Sequence, residues 1–224
     1  MTDQDQTGTA ASRTTQCIRI VQLSPTALHA LAEGDLGSAN EASCVPMTAY
    51  FAGPDWRGLW RRRSRQVLAD PGSAAWITGV IWDVQQQVAV GRAGYHGPPD
   101  TAGMVEIGYA VDPIYRRKGF ARAALVTLLE RAAGEADVRT VRATVSPENA
   151  ASRNLILQYG FAHVGEQWDD EDGLELVYEV AAQLHQDATS EIPYCLSARP
   201  RHPSRIGPRA SPRRSPVSPA DASL

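Results

Sequence analysis

One segment, VEIGYAVDPIYRRKGFARAALVTLLERA, spanning residues 105–132, changes its apolar period halfway along, and that change constrains the fold more than any other stretch of the chain. Val105, Ile107, Tyr109 and Val111 alternate with Glu106, Gly108 and Ala110, the period of a β-strand. Asp112-Pro113 then breaks the ladder, and Phe120, Ala121, Ala124, Leu125, Leu128 and Leu129 recur at three and four, the period of a helix. A strand that feeds through a short loop into an amphipathic helix asks for a sheet with helices packed on it.

The joining loop is Arg116-Arg117-Lys118-Gly119-Phe120-Ala121. At a helix N-terminus the first backbone N–H groups lack intrahelical partners, and with the helix dipole they form an anion site. Gly119 permits close backbone approach, Ala121 leaves room, and three adjacent cations add charge. Taken alone, such a loop is weak evidence for phosphate binding, since many glycine-containing loops only turn the chain.

The flanking patterns complete an α/β (α+β) domain around one central sheet. Ile18 to Leu23 reads as a strand, and Ser24-Pro25 opens a helix with Leu28, Leu31 and Ala32 on its apolar face. A helix is predicted over Trp56 to Leu68, stopped by Pro71-Gly72. Ala74 to Trp82 and Val88 to Tyr95 form a hairpin pattern. Val138 to Val145 alternates again, Asn149 to Tyr159 is helical, and His163 to Trp168 with Leu174 to Val180 flank the turn DDEDG.

Outside this body, residues 1–15 lack periodicity, and residues 186–224 become Pro-, Ser- and Arg-rich, compositions that offset little ordering entropy by burial. The expected organisation is therefore a disordered N-terminus (1–15), one domain (16–185) and a disordered tail (186–224). From Arg199 onward six arginines face a single acid, so the tail carries +5 and leaves −8 on the rest of a chain whose total is −3. An acidic body makes nucleic acid an unfavoured partner and attracts cationic amines. Apolar runs fall short of the ~20 residues of a membrane span, and the polar start lacks a secretory h-region, so a cytoplasmic protein without membrane contact is expected. Cys17, Cys44 and Cys195 are widely spaced, with no CxxC pair and no histidine at metal-ligand spacing, so no zinc site is expected.

Two motifs in this frame carry a family resemblance. Arg116-x-x-Gly119-x-Ala121 resembles the Arg/Gln-x-x-Gly-x-Gly/Ala signature of the GNAT superfamily of acyl-CoA-dependent N-acyltransferases. The run PENAASRNLILQYGF is similar to the Asn-x-x-Ser helix ending in Gly-Phe of the branch that includes ribosomal-protein N-terminal acetyltransferases, through Asn149, Ser152, Gly160 and Phe161. The similarity covers about Val88 to Val180 and extends more loosely back to Ile18.

The resemblance implies a GNAT fold, a mixed, mostly antiparallel sheet flanked by helices, in which the strand Val105 to Val111 splays from Thr140 to Val145. Acetyl-CoA, as co-substrate, would lie in that slot. Its pyrophosphate would meet Arg116, Arg117, Lys118, Gly119, Phe120, Ala121 and Arg122, mainly through backbone amides. Its pantetheine would pair with the backbone across Tyr109, Ala110 and Val111, near amides able to hold an oxyanion. Asn149 would hydrogen-bond the pantetheine or an acid–base water. The implied reaction is direct attack by a primary amine on the thioester through a tetrahedral intermediate, without metal. The acceptor is a small-molecule amine or a protein N-terminus, and the enzyme is a monomer or homodimer.

Proton transfer needs further groups. Glu106 is the candidate base, its alternative being a strand carboxylate paired with an arginine such as Arg142. For the acid, the sequence departs from the family pattern: Ile156 stands where a tyrosine is usual. Ser152, Tyr159 or solvent would then protonate the thiolate. The missing tyrosine also leaves open a binding-only acyl-CoA sensor or interaction module. The turn Asp169-Asp170-Glu171-Asp172 reads either as a collector of cationic amines or as a soluble hairpin tip, and Trp168 beside it either walls the acceptor pocket or caps the core. Arg61-Arg62-Arg63 reads as a solvated helix face, and none of the five histidines has a partner that suggests catalysis.

Overall fold

The computed structural model describes residues 16–170 and 173–182, so the segments expected to be loose at either end lie outside the described residues. The strands are β1 (Ile18–Val21), β2 (Gly79–Asp83), β3 (Val88–Tyr95), β4 (Met104–Val111), β5 (Thr140–Val145), β6 (Ala162–Asp169) and β7 (Gly173–Ala181). The helices are α1 (Pro25–Glu33), α2 (Leu36–Glu41), α3 (Arg57–Ala69), α4 (Phe120–Gly134) and α5 (Ala150–Leu157). The seven strands form one sheet in the order β1-β2-β3-β4-β5-β7-β6. Neighbours are antiparallel except β4 and β5, which run parallel.

Local chemistry explains most boundaries. Ser24 caps α1 by accepting from the Ala27 N–H at 3.1 Å, Pro25 starts it, and Gly34 ends it in the left-handed region at φ 81°. The run Ala74 to Trp82, expected as strand throughout, is divided: a 3-10 turn takes Pro71–Ala75, with Asp70 accepting from the Gly72 N–H, and pairing begins only at Gly79. The short helix α2 has no counterpart in the periodicity; Asp35 caps it through Ser38.

Helices cover both faces of the sheet. On one, α4 and α5 bury Phe120, Leu125, Leu128 and Ile156 against Val105, Ile107, Val141 and Tyr178. On the other, α1 and α3 bury Leu28, Leu31, Trp60 and Val67 against Val80 and Ala89. Trp60 is fully buried and its indole Nε1 donates to the Phe51 carbonyl at 2.7 Å, which satisfies the polar atom a buried tryptophan must place. Arg63 departs from the solvated face expected of the arginine triplet: it is 3% exposed. Its Nε donates to Thr78 Oγ1 at 3.2 Å and its NH1 to the His96 carbonyl at 2.9 Å. Burial lowers its pKa to about 10, which still leaves it charged at neutral pH. Among the described residues no helix is long and apolar enough to cross a membrane.

Candidate active site

The sheet opens between its two parallel strands. β4 and β5 are paired from Met104 and Thr140 as far as Ile107 and Ala143, and there the pairing stops. Both strands continue: β4 stays paired with β3 through Val111, and β5 with β7 through Val145. The result is a slot bounded by 108–111 on one side and 144–145 on the other.

Hydrogen-bond parity decides which backbone groups face the slot. His96 N–H donates to the Glu106 carbonyl at 2.8 Å, and Asp112 N–H to the Val90 carbonyl at 2.9 Å, so even-numbered residues of β4 bond toward β3. The odd-numbered residues Tyr109 and Val111 therefore turn their amides and carbonyls to the slot. One of these groups is taken up, since Arg116 Nε donates to the Val111 carbonyl at 3.2 Å. Arg116 thus folds back on the strand, while Lys118 Nζ lies 5.1 Å from the Tyr115 ring centroid.

At the mouth of the slot α4 begins. Asp112 is buried and accepts from the Ile114 N–H, holding the Asp-Pro turn that ends β4. Arg117 (φ 63°) and Gly119 (φ 91°) both occupy the left-handed region, which swings the chain into the helix. Gly119 stands at the N-cap without any side-chain cap. Ala123 N–H bonds back to Gly119, and the N–H groups of Gly119, Phe120, Ala121 and Arg122 have no acceptor among the described residues. A substituent at Gly119 would touch only Gln16 Cγ, at 3.7 Å, so the space before these donors is open. Uncapped amides at the end of a fifteen-residue helix form an anion cradle.

Helix α5 supplies the opposite wall. Asn149 caps it, its Oδ1 accepting from the Ser152 N–H at 3.1 Å, so the acceptor end of that amide is occupied and its Nδ2 remains to donate. Ser152 Oγ and Tyr109 Oη lie 2.9 Å apart, joining α5 to β4 across the slot. Burial raises the Tyr109 pKa above the usual phenol value, with the Ser152 hydrogen bond opposing it, so the phenol keeps its proton at neutral pH. Ile156, at the position where a tyrosine was missed, is fully buried. Tyr159 instead receives Arg122 NH1 at 3.2 Å, while Arg122 NH2 donates to Gln158 Oε1 at 2.6 Å. It thus sits beside the first turn of α4, and Ser152 beside the parted strands.

Glu106 points to the other face of the sheet. It does not pair with Arg142, whose guanidinium is held by Glu179. Its Oε1 accepts from Thr144 Oγ1 at 2.8 Å and lies 3.3 Å from His96 Nδ1. His96 escaped the sequence reading because its only signal is the β3–β4 register, which sets the residue after Tyr95 opposite Glu106. Trp168 caps no core, being 75% exposed. Of the acidic turn, Asp169 closes β6 and Asp170 follows it, while Glu171 and Asp172 lie outside the described residues.

Known proteins resemble this chain in sequence and in fold. The family described as an acetyltransferase (GNAT) domain matches residues 28–162. An uncharacterized N-acetyltransferase of Bacillus subtilis is 30% identical over 98 residues, which take in 43% of this chain and 58% of that protein. The match thus spans little more than half of the relative's length. Among solved structures, a spermidine N-acetyltransferase of Vibrio cholerae superposes with a TM-score of 0.54 at 15% identity, over 77% of this chain and 98% of that one. A ribosomal-protein-S5-alanine acetyltransferase of Vibrio fischeri gives 0.50 at 16% identity, over 74% and 92%. At these identities the structures speak for the fold alone.

Proposed function

Because the chain belongs to the GNAT family of acetyltransferases, we propose that it moves an acetyl group from acetyl-CoA to a primary amine, by direct attack of the amine on the thioester. The observation that carries this reading is the parting of β4 and β5 after Ile107 and Ala143, with the open amides at the start of α4 beside it. Those features fit the two ends of the cofactor. An extended pantetheine can pair with the slot-facing backbone of Tyr109 and Val111 as an added strand across Ala110. A diphosphate matches the unpaired N–H groups of Gly119 to Arg122, with the Arg117 and Lys118 side chains supplying charge. Arg116 serves chiefly to hold the loop against β4, through the Val111 carbonyl.

Acetyl-CoA supplies the activated acyl group, and the chain supplies position and proton traffic. The Tyr109 N–H, turned into the slot, is placed to stabilise negative charge developing on the thioester oxygen. Asn149 Nδ2 is free to steady the pantetheine or a water. Glu106 forms the centre that draws a proton from the incoming ammonium. Ser152, bonded to the Tyr109 phenol, delivers one to the departing thiolate. In this reading the Tyr109 phenol on β4, 2.9 Å from Ser152, supplies the hydroxyl that Ile156 does not offer, and it speaks for turnover over a binding-only sensor. Tyr159, tied to Arg122, acts in support of the diphosphate loop rather than as the acid.

The acceptor is a primary amine of a small molecule or of a protein N-terminus. The test is calorimetric titration with CoA, together with thiol release from acetyl-CoA across polyamines, amino acids and peptides with free N-termini. Saturable CoA binding with amine-dependent thiol release is expected. CoA binding without release on any amine would return the sensor reading, and no CoA binding would end the proposal.

A further inference from the structure

His96 has been left without a part in the reaction, yet its backbone is held on both sides. Its N–H donates to the Glu106 carbonyl at 2.8 Å, and its carbonyl accepts from Arg63 NH1 at 2.9 Å and Gln66 Nε2 at 2.8 Å. Strand β3 ends at Tyr95, and these three bonds carry the backbone order one residue further. The ring then lies between two landmarks. Its Nδ1 is 3.3 Å from Glu106 Oε1, and its Nε2 is 3.2 Å from where a Cβ on Gly108 would stand. Gly108 is the first residue of β4 beyond the last β4–β5 pair, so Nε2 hangs over the strand where the slot opens. A side chain at 108 would meet the ring at that distance, so glycine leaves the ring room over the strand.

From this geometry we propose that His96 is the immediate proton acceptor of the reaction, with Glu106 as the carboxylate that orients it and balances its charge. The inference rests on the acetyl-transfer reading above and deepens it. A carboxylate oxygen 3.3 Å from Nδ1 favours the ring hydrogen on that nitrogen, since a lone pair there would face the negative charge, and this leaves the Nε2 lone pair facing the space above Gly108. Thr144 Oγ1 fixes the same carboxylate oxygen from β5, so Glu106 is itself oriented. The arrangement is the logic of a base steadied by a carboxylate behind it.

The protons balance as follows. The acceptor R–NH3+ gives one proton to His96 Nε2, and the resulting R–NH2 attacks the thioester carbon. The C–N bond forms, the C–S bond breaks, and the second nitrogen proton ends on the thiolate by way of Ser152 and Tyr109 or water. The imidazolium then releases its proton to solvent.

The surroundings keep the ring unprotonated between encounters. Side chains on α3 (Arg62, Arg63, Gln66) and on β3 (Arg92) lie around the ring, with Glu106 on β4 and Thr144 on β5. Partial burial, which leaves 43% of the side chain exposed, and then the charges of Arg63, Arg62 and Arg92 lower the His96 pKa to about 4, so the ring is neutral at physiological pH. The same arginines disfavour a neighbouring ammonium, easing its deprotonation.

Nuclear magnetic resonance on 15N-histidine-labelled wild-type protein is the first arm of the test, with His96→Gln used only to assign the signal. The expected result is the Nδ1–H tautomer at pH 7 and titration well below the ordinary histidine value. An Nε2–H tautomer, or an ordinary pKa, overturns the proposal. The second arm measures acetyl transfer to spermidine and to a peptide with a free N-terminus. His96→Gln is expected to lower kcat by ~100-fold, leave acetyl-CoA affinity unchanged and erase the acidic limb of the pH profile. A surviving limb of wild-type shape overturns the catalytic role. If no amine of the wider panel is acetylated while the Nδ1–H tautomer is found, the acetyl-transfer reading fails and takes the catalytic role of His96 with it, and only the His96–Glu106 pairing stands.

Discussion

Replacing Gly119 by Asp and by Asn separates the diphosphate cradle from every other role of that loop. Gly119 holds φ 91° and ψ −1°, and a Cβ there would meet only Gln16 Cγ at 3.7 Å, so backbone conformation rather than crowding is what a side chain disturbs. Leaving glycine in the left-handed region costs roughly 1–2 kcal/mol, least for Asn and Asp. That cost is present with and without ligand, so it appears in stability and cancels from affinity. Asn and Asp share shape and differ in charge. A carboxylate about 5 Å from a diphosphate with two charges, in water-like surroundings, costs roughly 1.7 kcal/mol in dilute buffer. Screening reduces this to about 1 kcal/mol at physiological ionic strength. The Kd for CoA of the Asp variant should therefore exceed that of the Asn variant about 18-fold in dilute buffer and about 5-fold at physiological salt. At 1 M salt the ratio should fall below about 2. Relative to wild type, hindered access to the amides adds about 0.5–1.5 kcal/mol, so the Asp variant loses about 2 kcal/mol or more in all. Isothermal calorimetry at three salt concentrations measures these values, with thermal melts to establish that both variants fold. Equal affinities for Asp and Asn in dilute buffer would refute the placement of a diphosphate before α4.

Two further outcomes follow from the hydrogen bonds. Tyr109→Phe and Ser152→Ala should each lower kcat by about 10-fold or more with CoA affinity unchanged, and the double variant should lose little more, because the hydroxyls act as one unit 2.9 Å apart. Fully multiplicative losses in steady-state kinetics would show that they act separately. Trp60→Phe removes the indole donor to Phe51 and empties part of a fully buried site, so it should cost about 2–3 kcal/mol by urea denaturation. A change under about 0.5 kcal/mol would mean that the α3 face is not packed as described.

The segments most legible in the sequence were those whose chemistry is local. The switch of period around Asp112-Pro113 placed β4 and α4, Ser24-Pro25 placed α1, and Gly119 marked the uncapped helix start, because each depends on residues within one or two turns of chain. The same locality hid the division of Ala74 to Trp82, where Asp70 and Pro71 impose a 3-10 turn on residues with strand-like composition. It also hid the burial of Arg63, whose guanidinium is satisfied by Thr78, fifteen residues away, and by His96, thirty-three away.

The site divides along the same line. By itself the sequence placed the strand, loop and helix start, and its resemblance to the family offered the slot strands and Glu106 and Ser152 as proton-handling candidates. Only tertiary structure decided their partners. It gave Arg142 to Glu179 and His96 to Glu106, and it brought the Tyr109 phenol to Ser152 where α5 offers Ile156. Strand register and the crossing of a helix over a parted sheet set these pairings, and both are fixed by the summed burial of two hydrophobic faces, a quantity no short stretch of chain contains.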